Sequence, residues 1–302
     1  VEYDPKSEMI ITVGGSEGID IALRAMLDRD DEVLIPQPSY VSYEPCTILA
    51  GGKPVIIELK AEDGFKLKAS QILEKVTDKT KILILPFPNN PTGSILNMDE
   101  LREIAKVCIE KDLCVISDEI YCEMTYEGEH ASIVQIEGMK ERTVLINGFS
   151  KSYAMTGWRL GYATGPKEII SQMTKIHQYA IMCAPTTSQY AAVEALAHGD
   201  ADVARMRESY NQRRRYLLHR FEELGMTCFE PQGAFYVFPS IKRFGMSSEE
   251  FATRLLEEQK IAIVPGTAFG ECGEGYVRVS YAYSMERLKE ALSRIEKFVR
   301  SL

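Results

Sequence analysis

A lysine set between two serines, Ser150-Lys151-Ser152, follows an apolar run, and an arginine, Arg159, stands eight residues further on. A lysine at the mouth of a buried strand is costly unless its amine is neutralised, paired or used covalently. Without a counter-ion and short of water, such an amine has a lowered pKa and works as a nucleophile and a base. A plain surface lysine in a loop is the alternative reading of the same residues.

Three other stretches end apolar runs in a similar way. In VGGSEG (13–18), Gly14 and Gly15 permit close backbone approach, and Ser16 with the free N–H groups of a first helical turn is suited to hold a phosphate. A capped helix after a tight turn fits the same letters. The stretch lacks the G-x-G-x-x-G spacing of a dinucleotide fingerprint and the Gly-Lys-Ser/Thr of a P-loop. In PFPNNPTG (86–93), turn chemistry explains much of the composition, while the doubled Asn89-Asn90 in so stiff a setting points to an amide presented to a ligand. In CVISDEIY (114–121), Asp118 follows a strand expected to be fully buried, where a carboxylate demands a cationic or N–H partner. Asp is also a good helix N-cap. On that reading Tyr121 sits one helical turn on, near the same ligand.

Together these loops offer an amine for a Schiff base, an acid for a ring nitrogen, a phenol and an amide for a ring oxygen, and Ser, Arg and a helix N-terminus for a phosphate. One cofactor uses the whole set, pyridoxal 5′-phosphate.

The elements that must position them alternate. Strands are expected at Met9–Val13, Glu32–Pro36, Pro54–Leu59, Lys81–Pro86, Leu113–Ser117, Thr143–Asn147 and Leu160–Thr164. Amphipathic segments at Glu17–Leu27, Ala69–Val76, Asp99–Lys111 and Lys167–His177 lie between them. Nearly continuous apolar strands alternating with helices predict an α/β fold, a mostly parallel seven-stranded sheet covered by helices on both faces. Ligands of such sheets bind at the carboxyl ends of the strands. Beyond about residue 200 the texture changes to a long charged helix (Asp202–Leu224) and an aromatic strand pair within MTCFEPQGAFYVFPSI, hinged at Gly233. A helix (Ser247–Gln259), short strands at IAIVPG and YVRVSYA, and a terminal helix (Met285–Leu302) follow. The division expected is 1–200 for a large cofactor-binding α/β domain and 201–302 for a smaller α+β domain.

Composition is that of an ordinary globular chain, with 45% hydrophobic and 26% charged residues in 302. The net charge of −9 argues against a general nucleic-acid or anionic-membrane partner, and no run approaches a bilayer span. The triplet Arg213-Arg214-Arg215 reads as a solvated helix face. Seven cysteines without CxxC spacing read as buried free thiols of a reducing, cytoplasmic setting, with no metal site. Trp158 and Gly157 read as packing and turn residues.

The motifs GGSEGIDIALRAML, DEVLIPQPSYVSYEP, PNNPTG, SDEIY, SKSYAMTGWRLGY and YVRVSYA occur in an order and approximate spacing that resemble the class I/II aminotransferases, fold-type-I pyridoxal-phosphate enzymes. The resemblance spans essentially the whole chain. It implies that Lys151 is the Schiff-base lysine and proton shuttle, and that Asp118 keeps the ring nitrogen protonated. It places Asn90 and Tyr121 on the ring hydroxyl oxygen and Tyr40 on the ring face. Gly15, Ser16, Glu17, Ser150 and Arg159 fall at phosphate and ring-contact positions, and Arg278 at the substrate α-carboxylate by its fork geometry. It also implies a homodimer, an L-amino acid donor, and a 2-oxo acid acceptor such as 2-oxoglutarate. Some aspartate-preferring relatives carry a lysine at the position of Ser16, and others an arginine after the lysine-bearing motif. No arginine lies between Arg159 and Arg205, so neither device for a second carboxylate is evident. The chain opens without an initiator methionine, and the family's segment before the first motif is expected to be missing. Two alternatives share the scaffold: a carbon–sulfur β-lyase, and a cofactor-sensing domain of a transcription regulator.

Overall fold

The computed structural model describes residues 1–302. Seven strands form one sheet: β1 (Met9–Thr12), β2 (Glu32–Gln37), β3 (Lys53–Glu58), β4 (Thr80–Leu85), β5 (Cys114–Asp118), β6 (Thr143–Gly148) and β7 (Gly161–Thr164), in the order β1-β7-β6-β5-β4-β2-β3. Strands β2 and β5 are buried almost throughout, as parallel strands covered on both faces must be. The edge strand β3 starts on exposed Lys53. Helices Gly14–Met26 and Lys167–Ala180 cover one face through Ile19, Leu23, Ile170 and Met173. Helices Ala69–Lys75 and Met98–Glu110 cover the other through Ile72, Leu101 and Ile104. Each of these side chains, fully withdrawn from water, contributes about 2 kcal/mol.

One departure from a uniform sheet matters for function. Strand β7 runs antiparallel to both neighbours, β1 and β6. Its amino end therefore lies beside the carboxyl ends of the other six, and Arg159, two residues before it, reaches the same edge as the loops after β1, β4, β5 and β6. Helices Tyr43–Leu49 and Thr186–His198 also form, although apolar spacing alone did not mark them.

The C-terminal part carries a three-stranded antiparallel sheet of β8 (Tyr236–Val237), β9 (Val264–Pro265) and β10 (Val277–Ser280), ordered β8-β10-β9. Helices Asp200–Glu223, Ser248–Gln259 and Met285–Val299 pack on it through Phe221, Phe251 and Phe298. Ser247 and Ser284 cap the last two helices by accepting the N–H groups of Glu250 and Arg287. The aromatic strand pair expected around Gly233 is not made in that form. Cys228 and Pro239 share a single bridge, while Gly233 bridges Thr125 instead. The carbonyl of Gly93 accepts both Gln232 N–H and Gly233 N–H at 2.9 Å, which draws the middle of the segment onto the PNNPTG loop. Gly93 has φ +73°, and a Cβ there would collide with Pro231, so only glycine permits this seam.

Arg214 corrects a second expectation. It is 2% exposed, not part of a solvated face. It lies three and seven residues before Leu217 and Phe221, on the inward stripe of its helix. Its guanidinium donates to the Pro231 carbonyl (2.7 Å), Glu230 (3.0 Å), Asn211 (3.0 Å) and Glu127 (3.2 Å). All seven cysteines are free, Cys108 buried but Cys183 exposed. No helix is long and apolar enough to cross a membrane.

Arg214 thus joins the long helix, the Glu230–Ala234 segment and the Tyr126–Glu127 turn. Arg214→Met keeps the stem and removes the donors. It is expected to cost about 2 kcal/mol in urea unfolding, since the carbonyl of Pro231 is left without a partner while the two half-exposed glutamates rehydrate. An unchanged midpoint would show that these bonds contribute nothing net.

Candidate active site

A cavity of about 250 Å³ opens at the shared edge of the sheet, and ten of the eleven expected site residues line it. Gly15, Ser16 and Tyr40 come from the β1 and β2 loops, and Asn90 from the loop after β4. Asp118 and Tyr121 come from the end of β5, and Ser150, Lys151 and Arg159 from the β6–β7 connection. Arg278 arrives from β10. Glu17 is the exception. Its carboxylate turns away from the cavity, accepting the Val13 N–H at 2.5 Å and meeting His177 Nδ1 at 2.7 Å.

At one end the Gly14–Met26 helix starts with its N-terminus toward the cavity, without a side-chain cap at Val13. Gly14 has φ +76°, and a Cβ there would stand 2.6 Å from Arg159 Nη2, so glycine is what lets the guanidinium lie against the start of the helix. Arg159 itself adopts φ +52°, an uncommon conformation for a residue with a side chain. Its Nη1 donates to the Thr156 carbonyl at 2.9 Å, and Ser16 Oγ and Tyr40 Oη lie 3.3 Å apart beside it. Free N–H groups, hydroxyls and a fixed guanidinium make an anion cradle.

Asp118 forms the floor. It is the last residue of β5, and no α-helix follows it, so it is neither an N-cap nor one helical turn from Tyr121. One carboxylate oxygen accepts the Tyr43 hydroxyl at 2.7 Å and the other the Ile120 N–H at 3.2 Å. Burial pushes its pKa above the ordinary 3.8, with the two hydrogen bonds opposing. The protonated acid therefore stabilises the fold below 3.8, and that contribution is lost as pH rises through the raised value.

Lys151 lies in a one-turn helix, Phe149–Ser152, directly after β6. Its Nζ stands 5.7 Å from the ring centroids of both Tyr121 and Phe235. Burial first, then Arg159 and Arg278, lower its pKa below 10.5, with Asp118 pulling the other way. The neutral amine stabilises the fold above 10.5, and that contribution is lost as pH falls through the lowered value. Between these limits both groups carry a strain that a suitable ligand relieves. Tyr121 and Tyr236 hydroxyls meet at 2.9 Å, and burial raises the pKa of both.

Arg278 donates Nη1 to Asn90 Oδ1 at 2.9 Å and lies between the rings of Tyr236 (4.4 Å) and Phe269 (4.8 Å). Its Nε is sealed from solvent without a partner in the chain. The two asparagines divide the work. Asn89 Oδ1 accepts the N–H and hydroxyl of Thr92 and shapes the turn, leaving Asn90 to face the cavity. Sequence reasoning missed Tyr43, although its place three residues after Tyr40 was a usable signal, and missed Phe235, Tyr236 and Thr156. Trp158 is 47% exposed, not packed in the chain's own core.

With this geometry in hand, the likenesses to known proteins are specific. Residues 1–295 match the family described as aminotransferase class I and II. The chain is 47% identical to an aspartate aminotransferase of Pyrococcus abyssi over 303 residues, covering 99% of this chain and 78% of that one. It is 45% identical to aromatic-amino-acid aminotransferase 2 of Thermococcus litoralis, with the same coverage of each. The crystal structure of the aromatic aminotransferase of Pyrococcus horikoshii superposes with a TM-score of 0.97 at 45% identity, covering 100% of this chain and 81% of that one. None of these likenesses favours the lyase or the regulator. The chain belongs to the aminotransferase class I and II family, the pyridoxal 5′-phosphate-dependent transaminases.

Proposed function

We propose that this cavity transfers the α-amino group of an L-amino acid with an uncharged or aromatic side chain to a 2-oxo acid, with Lys151 as the proton-moving base. The observation that carries the reading is the partly buried Lys151 amine, its pKa lowered, in one cavity with a buried carboxylate and two arginines. The residues present fit pyridoxal 5′-phosphate. The Gly14–Ser16 turn, Ser150 and Arg159 suit its phosphate. Asp118, a buried carboxylate that makes no direct ion pair, suits a protonated ring nitrogen. Tyr121 and Asn90 suit the ring oxygen, and Tyr40 the ring face. When bound, the cofactor supplies an electron sink for negative charge developing at the substrate α-carbon.

The remaining work belongs to the chain. Arg278, with an unpartnered Nε and a guanidinium fixed by two rings and Asn90, grips the α-carboxylate common to donor and acceptor. Lys151 Nζ, neutral at a lower pH than an exposed lysine, takes the proton from the substrate α-carbon and carries it a short distance to a second carbon, not back to the first. Asp118 would be held in its ionised form by a protonated ring nitrogen, and Tyr43 holds that carboxylate in place. The segment 201–302 supplies Tyr236 and Arg278, and we take it as a smaller domain whose seating completes the substrate site.

Among the cations lining the cavity, Lys151, Arg159 and Arg278 each match one partner of this set, leaving none for a side-chain carboxylate. Single-turnover half-reactions of the cofactor-loaded enzyme with each donor alone, which need no acceptor, should give phenylalanine or tyrosine a second-order rate constant at least about tenfold above aspartate, because an unpaired carboxylate there would lose water without gaining a cation. Lys151→Ala should cut turnover by about 10³-fold or more with every donor. Aspartate as the best donor would refute the substrate class, and wild-type turnover in the alanine variant would refute the reading itself.

Charge coupling gives a separate check on the apoprotein. Arg278→Gln removes one of the cations that depress Lys151, so the midpoint of Lys151 acylation against pH, followed by peptide mass spectrometry, should move upward. A midpoint unmoved or moved downward would contradict the coupling.

We also propose a homodimer. Tyr179, Met182, Tyr190, Val193 and Leu196 are all exposed apolar residues on or just before helix Thr186–His198, with Tyr190 76% exposed. Apolar surface of this kind marks an interaction site, and a second copy is the partner typical of this family. Sedimentation should give twice the 34.0 kDa chain mass for the wild type and the single mass for Tyr190→Asp combined with Leu196→Glu. A monomeric wild type would end the proposal.

A further inference from the structure

The helix that opens the anion cradle begins under an unusual handicap. Its N-cap is Val13, whose side chain has no polar atom to satisfy the first N–H groups. Two side chains fix the turn instead. Thr12 Oγ1 donates to the Gly14 carbonyl at 2.9 Å. Glu17 reaches back from the first turn, and its Oε2 accepts the Val13 N–H at 2.5 Å. The other oxygen of Glu17 is held by His177 Nδ1 at 2.7 Å, from the last turn of helix Lys167–Ala180, which packs along the cradle helix. Both side chains are nearly sealed, at 13% and 9% exposure. His177 is therefore the link between this turn and the neighbouring helix, and neither residue lines the cavity.

A carboxylate in a first helical turn is attracted to the same free N–H groups that a bound anion uses. Released from its partner and short of water, Glu17 would swing onto those N–H groups and compete with a phosphate for them. Held by His177, it points the other way and spends its second oxygen on Val13, outside the cradle.

We propose that His177 is a positioning residue for the cofactor phosphate: it donates Nδ1–H to Glu17, which fixes the Val13–Ser16 turn and keeps the carboxylate off the donors that face the cavity. The inference rests on the reading of that turn as the phosphate cradle. It concerns affinity for the phosphate group, not the chemistry at Lys151.

Apoprotein binding of pyridoxal 5′-phosphate and of pyridoxal, which lacks the phosphate, tests it, with both dissociation constants read from cofactor absorbance. His177→Leu should weaken the phosphorylated ligand by about tenfold, the scale of one bond to a charged group, and change pyridoxal by less than about twofold. His177→Gln, which returns an N–H donor, should recover most of the loss. If the leucine variant does not fold, His177→Phe, which fills the ring's space without a donor, carries the test with the same expected selectivity, and adding Glu17→Ala to it, which removes the competing carboxylate, should recover part of the loss. Equal weakening of both ligands, or wild-type affinity for both, would overturn the inference. A wild type that itself binds the two ligands equally would instead overturn the cradle reading, and the role of His177 with it.

Discussion

A desolvated amine flanked by two guanidinium groups is an unstable arrangement of charge, and the site is organised around it. Lys151 is depressed by burial and then by Arg159 and Arg278, and the carboxylate that would balance it, Asp118, is itself buried and raised. Charges of this kind cost the empty fold stability on both sides of neutrality. All four groups face into the same cavity, and on the proposed reading one ligand with an aldehyde, a phosphate and a basic ring nitrogen would satisfy three of them at once, leaving the fourth, Arg278, for the substrate.

The reversed strand β7 is what makes this convergence possible. Were β7 parallel to its neighbours, Arg159 would enter it from the far edge of the sheet, a strand's length from the cradle. Running backward, it delivers Arg159 beside the start of the Gly14–Met26 helix, close enough that Gly14 can carry no side chain. The same connection carries Lys151, so the desolvated amine and the arginine beside the helix start are positioned by one excursion of eight residues. Precision of this sort comes from strand ends, which move less than loops.

Much of this was legible in the residues. The seven strands, both glycines of the cradle, Asn90, Asp118, Lys151 and Arg159 stand where apolar runs stop and chemistry-bearing residues begin, and such boundaries are local signals, whereas Arg278, inside a strand, is marked only by the family resemblance. What was not legible depends on partners distant in sequence. The antiparallel sense of β7 follows from register, not from composition. Arg214 looked solvated within a basic triplet because its acceptors, Pro231 and Glu127, lie far along the chain. Glu17 looked like a cavity residue because the VGGSEG stretch gives no sign of His177, 160 residues away. Tyr43 was passed over since a phenol gains its meaning only from the carboxylate it touches.

The C-terminal part is tied to this site by a continuous seam, and that has a mechanistic consequence. Gly93 holds Gln232 and Gly233 against the loop that presents Asn90. Three residues on, Tyr236 touches Tyr121 with its hydroxyl and stacks on Arg278 with its ring, while Arg278 returns to Asn90. The circuit is closed: the Arg278 fork, the Tyr121 phenol and the Asn90 amide are tied together through one strip of backbone. A displacement of that strip moves Arg278's partners and the environment of Lys151 together, since Phe235 flanks the amine. On the proposed reading, substrate binding and proton transfer would for this reason be two readouts of how the Glu230–Tyr236 segment is seated.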